Sequence, residues 1–338
     1  MKWLNNDFGT GATWAARPCL GCKDTGGPPV PQVMRPALKR LILFAVTLLC
    51  SLAPLPAAAV PTTRPATNPA QSGQFLRFVD DGAGGGKLKA AIVTYRNSAG
   101  VTVHLVSALH VAEKAYYDSL NKTFESYDVL LYEMIKAKGA QPPAPGDKPR
   151  GGISSFQRFL KNVLALDFQL DDIDYTKKNF VHADLDAEDF FAMEKKRGES
   201  IFGIMLRTMM REMERAAEGK GPTTPQPTLL DLLIAMRAPD RPRQLKLLLA
   251  HQFDQIEEQM AGLDGPDGSV IITDRNKKCI DTLKKAIADG HKNIGIFYGA
   301  GHMADLSKRV EALGFRQTKV EWRVAWDMTA TPQPATKP

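Results

Sequence analysis

Cysteine is scarce in this sequence, and most of it lies near the N-terminus. The chain has four cysteines in 338 residues, and only Cys279 follows residue 59. Cys19 and Cys22 form a C-x-x-C pair, but no second pair and no histidine at finger spacing accompanies them, so a zinc finger is not indicated. A chain that begins after residue 59 therefore has no intramolecular disulfide, and its core must be large enough to be stable without one.

Long apolar runs are lacking as well. The most apolar stretch, residues 41–53, is shorter than the roughly 20 residues that a membrane-spanning helix needs. Basic residues precede this stretch and three alanines ending at Ala59 follow it, which is the order of a secretory signal peptide. We expect translation to start at Met34, cleavage to follow Ala59, and the mature protein to be periplasmic or extracellular, without a permanent membrane span.

A strong excess of one charge is also missing. The full chain has a formal net charge of +7, and removal of residues 1–59 takes away six of its 44 basic and two of its 37 acidic residues, leaving about +3. Nucleic-acid binding is not indicated by a charge this small. The sequence leaves the oligomeric state open.

Three apolar runs each end close to a side chain suited to acid–base chemistry or metal binding. The runs and the side chains are 101–109 with His110, 127–132 with Glu133, and 294–298 with His302. A helical pattern follows the first and third runs, so we predict βα units with parallel pairing, which bring such strand ends together. Two imidazoles and a carboxylate form a plausible set of ligands for a divalent metal ion.

Two glycines separate the third run from its histidine. Gly299 and Gly301 allow a sharp turn from the strand into the helix that begins near Met303. An alternative needs no ligand: the glycines only make the turn, and His302 only begins the helix. The histidine at 110 and the carboxylate at 133, in equivalent predicted positions, favour the functional interpretation.

The middle of the chain differs in character from its two flanks. Helical patterns dominate after the Pro/Gly-rich break at 139–152, and we predict a helical insertion that covers the open end of the sheet. Within it lies an acidic and aromatic stretch that could fold over the site as a lid or contact substrate, with an ordinary polar loop as the alternative. Its candidate residues are Asp174, Tyr175, His182 and Asp184.

The predicted fold class is α/β (α+β), with a mixed central sheet, βαβ units and a large helical insertion over the C-terminal strand ends. The predicted segments are a non-native leader at 1–33, a signal peptide at 34–59, a disordered tether at 60–73, the core at 74–138 and 268–328, the insertion or lid at 139–267, and a disordered tail at 329–338.

Four short segments together resemble the TraB/GumN/TIKI superfamily. They are Leu105-Val106-Ser107-Ala108-Leu109-His110, Leu130-Leu131-Tyr132-Glu133, Arg275-Asn276 and Gly299-Ala300-Gly301-His302. The superfamily is marked by two GxxH motifs, and its members look like exported or membrane-tethered metal-dependent hydrolases. The second motif is intact here, whereas Ser107 replaces the glycine of the first.

The resemblance implies roles for four residues. His110, Glu133 and His302 match the positions for metal binding and catalysis, and Arg275 matches their polar partner. The implied function is hydrolysis, possibly of peptides, assisted by a divalent ion such as Mn, Co or Zn, with a peptide or small molecule as substrate. A non-catalytic protein of the same fold that binds and sequesters a peptide is the alternative, and a structural envelope protein without a ligand is a third.

Overall fold

The part of the chain that the computed structural model describes comprises residues 75–143, 161–198, 227–253 and 268–330, together with positions 203, 210 and 218. The expected leader, signal peptide and tether lie outside these residues, as does most of the expected tail. The strands are β1 (Leu76–Asp80), β2 (Gly86–Arg96), β3 (Thr102–Ala108), β4 (Val111–Ala112), β5 (Val129–Tyr132), β6 (Asp167–Phe168), β7 (Phe180–His182), β8 (Asn293–Gly299) and β9 (Arg316–Asp327). The α-helices are α1 (Lys114–Phe124), α2 (Gln169–Asp172), α3 (Ala187–Arg197), α4 (Leu229–Arg237), α5 (Arg241–Phe253), α6 (Arg275–Ala288) and α7 (Met303–Ala312).

Seven of these strands form one mixed sheet, which confirms the predicted α/β class. The order is β1-β2-β3-β8-β5-β7, and β9 also pairs with β2. Strands β3, β8, β5 and β7 are parallel, whereas β1, β2 and β9 form the antiparallel side. The β3 and β8 strands pair directly from Thr102 opposite Asn293 to Ala108 opposite Gly299, as the sequence predicted for these distant runs.

Helices cover both faces of the parallel side, and this explains why its strands are continuous apolar runs. Helix α1 buries Tyr116, Tyr117, Leu120 and Phe124 on one side. On the other side α6 buries Cys279 and Leu283, and α7 buries Leu306 and Val310. Each helix has its apolar residues three or four positions apart, the spacing that gives a helix one buried face.

The structure departs from the sequence prediction in the insertion. Residues 180–182 form β7, which pairs in parallel with β5, so the sheet takes a strand from a segment predicted to be a loop between helices. A second small sheet joins β4 to β6. A π-helical turn, Val270–Asp274, comes before α6, which starts at Arg275.

No helix within the described ranges is both long and apolar enough to cross a membrane.

Candidate active site

The carboxyl ends of β3, β8 and β5 deliver three of the side chains singled out in the sequence. Glu133 directly follows β5, and its backbone N–H donates to the carbonyl of Phe297 on β8. His302 ends the short 3-10 turn Ala300–His302 that follows β8, and His110 lies two residues beyond β3. Because these strands are neighbours, the shared sheet edge gathers the three residues.

Both oxygens of Glu133 accept strong hydrogen bonds. The Arg275 Nη2 lies 2.6 Å from Oε1, and the Gly299 N–H donates to Oε2 at 2.5 Å. A Cβ at position 299 would lie 3.3 Å from Oε2, so glycine at this position leaves room for the carboxylate. Burial opposes ionisation, but the Arg275 charge, the two histidines and the Gly299 N–H outweigh it and hold the pKa of Glu133 well below its usual value. Glu133 is therefore a carboxylate at neutral pH.

His302 is buried and its neutral tautomer is fixed by Asn276. The amide Nδ2 of Asn276 donates to the His302 carbonyl and to Asp305 Oδ2, so its Oδ1 faces His302 Nδ1 at 2.8 Å. Nδ1 must then carry the proton. The lone pair on Nε2 faces Arg275 Nη1 at 3.3 Å. Burial is the main cause that lowers the pKa of His302 to about 4, so the ring is neutral at pH 7.

Arg275 is the centre of the network. Its Nε and Nη2 bind the two oxygens of Asp184 at 2.9 and 2.6 Å, Nη2 also binds Glu133, and Nη1 faces His302. Burial works against its charge, but Asp184 and Glu133 outweigh that effect and raise its pKa. Among the described residues, these contacts engage four of the five guanidinium N–H groups and leave one on Nη1.

The side chain of Asp184 is fully buried in this network, which corrects its assignment to a lid. It follows β7 by two residues and therefore sits at the same sheet edge as Glu133. The sequence did not reveal Asp184 as a carboxylate at a strand end, because β7 is only three residues long. With Asp184 included, two buried carboxylates face one guanidinium, and the cluster has one negative charge in excess.

His110 is exposed at the edge of this cluster. Its Nδ1 lies 3.2 Å from the Oε1 of Gln169, and its carbonyl accepts from the Gln169 N–H at 3.0 Å. It is close enough to the buried cluster for its charge to act on the pKa of both Glu133 and His302. Gln169 was not identified from the sequence.

The other proposed lid residues have structural contacts. Asp174 accepts hydrogen bonds from the Thr176 N–H and hydroxyl, which closes its own turn. Tyr175 is buried against Gln169 rather than exposed over the site. His182 lies in β7 and its Nε2 contacts the Met134 carbonyl at 2.6 Å. The acidic and aromatic stretch is therefore part of the sheet edge and its support, and Tyr175 and Ala183 within it are buried.

The predicted metal set does not fit the side chains as they are arranged. His302 Nε2 and Glu133 Oε1 are 3.5 Å apart, a separation that two ligands of one ion can have. Arg275 contacts both atoms, however, so a divalent cation between them would lie against a guanidinium. Within the described residues no three His, Cys, Asp or Glu side chains are grouped as metal ligands.

No protein-family model, curated protein or solved structure matches this chain.

Proposed function

We propose that the protein is a hydrolase, as the TraB/GumN/TIKI resemblance implies, but that it acts on a peptide, amide or ester bond by acid–base chemistry rather than with the divalent ion of that resemblance. The observation that supports the proposal is the buried Glu133–Arg275–His302 network with an exposed imidazole, His110, at its edge. Charged and polar groups held rigidly at the carboxyl ends of parallel strands are typical of active sites in α/β proteins.

In this proposal His110 is the general base. Glu133 is a poor base because its pKa is held well below its usual value, and the lone pair on His302 Nε2 already faces Arg275. His110 is exposed, and a positioned base of this kind typically contributes 10²–10⁴-fold to a rate.

The proposed reaction is an acid–base hydrolysis. His110 Nε2 takes a proton from water, and the water oxygen attacks the carbonyl carbon of the substrate. The carbonyl oxygen gains the negative charge and accepts a hydrogen bond from the remaining N–H of Arg275 Nη1, the role of an oxyanion-hole donor. When the bond to the leaving group breaks, the proton on His110 passes to the departing amine or alkoxide.

The test is turnover of a mixed peptide library and of chromogenic esters and anilides. His110→Ala should lower kcat by 10²-fold or more and lower the thermal melting temperature only slightly, because the side chain is exposed, although its removal takes a partner from the buried Gln169 Oε1. His291→Ala, at the opposite end of β8, is the matched control and should have no effect. Full activity of His110→Ala would overturn the proposed role of His110.

A divalent ion is the second candidate for this site. The 3.5 Å separation of Glu133 and His302 and the excess negative charge both favour a cation there, provided that Arg275 is displaced. Chelation followed by addition of Mn, Co or Zn separates the two candidates. The acid–base proposal expects activity and melting temperature to be unchanged by the chelator, whereas a metal enzyme loses activity and regains it with the ion.

Peptide sequestration without turnover is the other function to separate from hydrolysis. A protein that only binds would retain peptides from the library unchanged. The His110→Ala variant would then differ from the wild type in its affinity for peptide, and neither protein would form a product. Mass spectrometry of the bound and free peptides distinguishes the two.

A further inference from the structure

His110 is attached to the insertion through a small, separate structural unit. Strand β4, which directly follows His110, pairs with β6, and the next residue after β6 is Gln169. The Gln169 N–H donates to the His110 carbonyl, so backbone contacts fix the distance between the two residues. This unit lies outside the main sheet.

The Gln169 side chain is buried although it is polar, and it makes two contacts. Its Oε1 lies 3.2 Å from His110 Nδ1, and its Nε2 lies 2.7 Å from the hydroxyl of Tyr175. Only 6% of Gln169 is exposed, so each end of the amide needs a partner. With Oε1 toward the imidazole, the amide can only accept a hydrogen bond from Nδ1–H.

We propose that Gln169, held by Tyr175, is a positioning residue that keeps His110 in the Nδ1–H tautomer and leaves the lone pair on Nε2. A carboxylate or carbonyl oxygen that accepts a hydrogen bond from one ring nitrogen sets the tautomer of a histidine. The basic nitrogen is then the one on the opposite side of the ring. That His110 then acts as a base rests on the function proposed above. The tautomer itself does not, since it is a property of the resting protein.

The reverse orientation of the Gln169 amide makes the opposite prediction. Its N–H would then donate to His110 Nδ1, the Tyr175 hydroxyl would donate to Oε1, and the imidazole would carry its proton on Nε2. The two arrangements have the same heavy-atom positions and differ in the proton on His110, which can be measured.

The experiment is long-range ¹H–¹⁵N correlation of the six histidines in the labelled protein at a pH where His110 is neutral, with its signal assigned by its loss in His110→Asn. The wild type should show a protonated Nδ1 and a bare Nε2. Gln169→Leu should shift the ratio of tautomers toward Nε2–H roughly fivefold, the factor that corresponds to one hydrogen bond of about 1 kcal/mol. Gln169→Glu, which keeps an acceptor oxygen, should restore the wild-type tautomer, and Gln244→Leu on α5 is the control.

Kinetics of the same variants separate this inference from the proposed function. If His110 is the base, Gln169→Leu should lower kcat with little change in KM, and Gln169→Glu should restore it. A tautomer shift without loss of turnover supports the positioning contact and overturns the role of His110 as base. A wild-type signal with Nε2 protonated, or a ratio unchanged in Gln169→Leu, overturns the inference. If Gln169→Leu does not fold, the wild-type spectrum and the isosteric Gln169→Glu variant still decide the question.

Discussion

At the scale of single residues, the site depends on the charge states of side chains that are shielded from solvent. Asp184 is fully buried and Glu133 is largely buried, and both accept hydrogen bonds from the guanidinium of Arg275. His302 is buried without charge. Removing one partner of such a network leaves the others unsatisfied, at a cost of a few kcal/mol. Substitutions that keep hydrogen-bonding capacity are therefore better probes than truncation to alanine.

The depressed pKa of His302 makes stability depend on pH. Between its ordinary pKa near 6.5 and the folded value of about 4, the unfolded chain binds a proton that the native protein does not. The wild type should lose stability as pH falls through this window, by on the order of 3 kcal/mol for this group. Urea unfolding at pH 7, 6, 5 and 4.5 measures the effect, and His302→Gln should flatten it. Parallel curves for the two proteins would show that His302 is not buried in its neutral form.

Ser107, which replaces a glycine of the first GxxH motif, has a buried hydroxyl with no hydrogen-bond partner among the described residues. Ser107→Ala should therefore raise the free energy of unfolding, by up to about 1 kcal/mol, without lowering turnover. Ser307→Ala is the matched control and should destabilise the protein, because the Ser307 hydroxyl lies 2.7 Å from the hydroxyl of Tyr95. A loss of turnover in Ser107→Ala would mean that this hydroxyl serves a ligand.

At the scale of elements, β8 has the most constrained position. It lies between β3 and β5, and the residues from Ile294 to Tyr298 are buried. Gly295 has no side chain because none fits: a Cβ there would lie 2.5 Å from atoms of Leu130 and Tyr127. The absence of a side chain at 295 is thus a packing requirement, in contrast to the glycine at 299, which makes room for a carboxylate.

Gly295→Ala should destabilise the protein by about 1–3 kcal/mol, the usual cost of overpacking a well-filled core. Denaturant unfolding measures the loss. Leu130→Ala also destabilises by itself, but it opens space beside the new methyl group, so the double variant should be more stable than the sum of the single effects implies. Strict additivity would contradict the close approach of these residues.

The sequence predicted the elements whose apolar patterns are long. The β3, β5 and β8 runs and the stripes of α6 and α7 are each visible locally, and together they locate His110, Glu133 and His302. Strand β7 was missed because its three residues alternate in exposure and are defined by their pairing with β5. Gln169 was missed for the same reason, and so was the place of Asp184 in the Arg275 network: only the folded chain brings these residues to their partners, and no local pattern marks a residue whose partner is about 60 or 90 positions away.

At the scale of the whole molecule, the export proposal concerns residues that lie outside the described part. If residues 34–59 act as a signal peptide, the protein recovered from the periplasm or medium should begin at Val60. N-terminal sequencing or mass spectrometry of the exported chain measures this. Recovery of a mature chain that still contains Trp3 or Cys19 would contradict both the start at Met34 and the cleavage site.

The site is also assembled from distant parts of the chain. Glu133 comes before the insertion, Asp184 from within it, and Arg275 and His302 after it. Deletion of the insertion, residues 139–267, would leave the strands before and after it in place. It would still remove Asp184, and Arg275 would keep only Glu133 as a carboxylate partner. The insertion is therefore part of the site and cannot be regarded as a cover added to a complete one.

The position of β8 has a consequence for how the chain acquires its structure. Strands β3 and β5 are separated in sequence only by the short strand β4 and helix α1, yet they do not pair with each other, since the strand between them in the sheet begins at Asn293. A chain emerging from its N-terminus therefore exposes two unpaired strand edges until about nine-tenths of it has been synthesised. Pairing across such sequence separations gives a high contact order, and folding is correspondingly slow. During that interval the gap between β3 and β5 is open to any extended peptide, so the nascent chain is prone to mispairing.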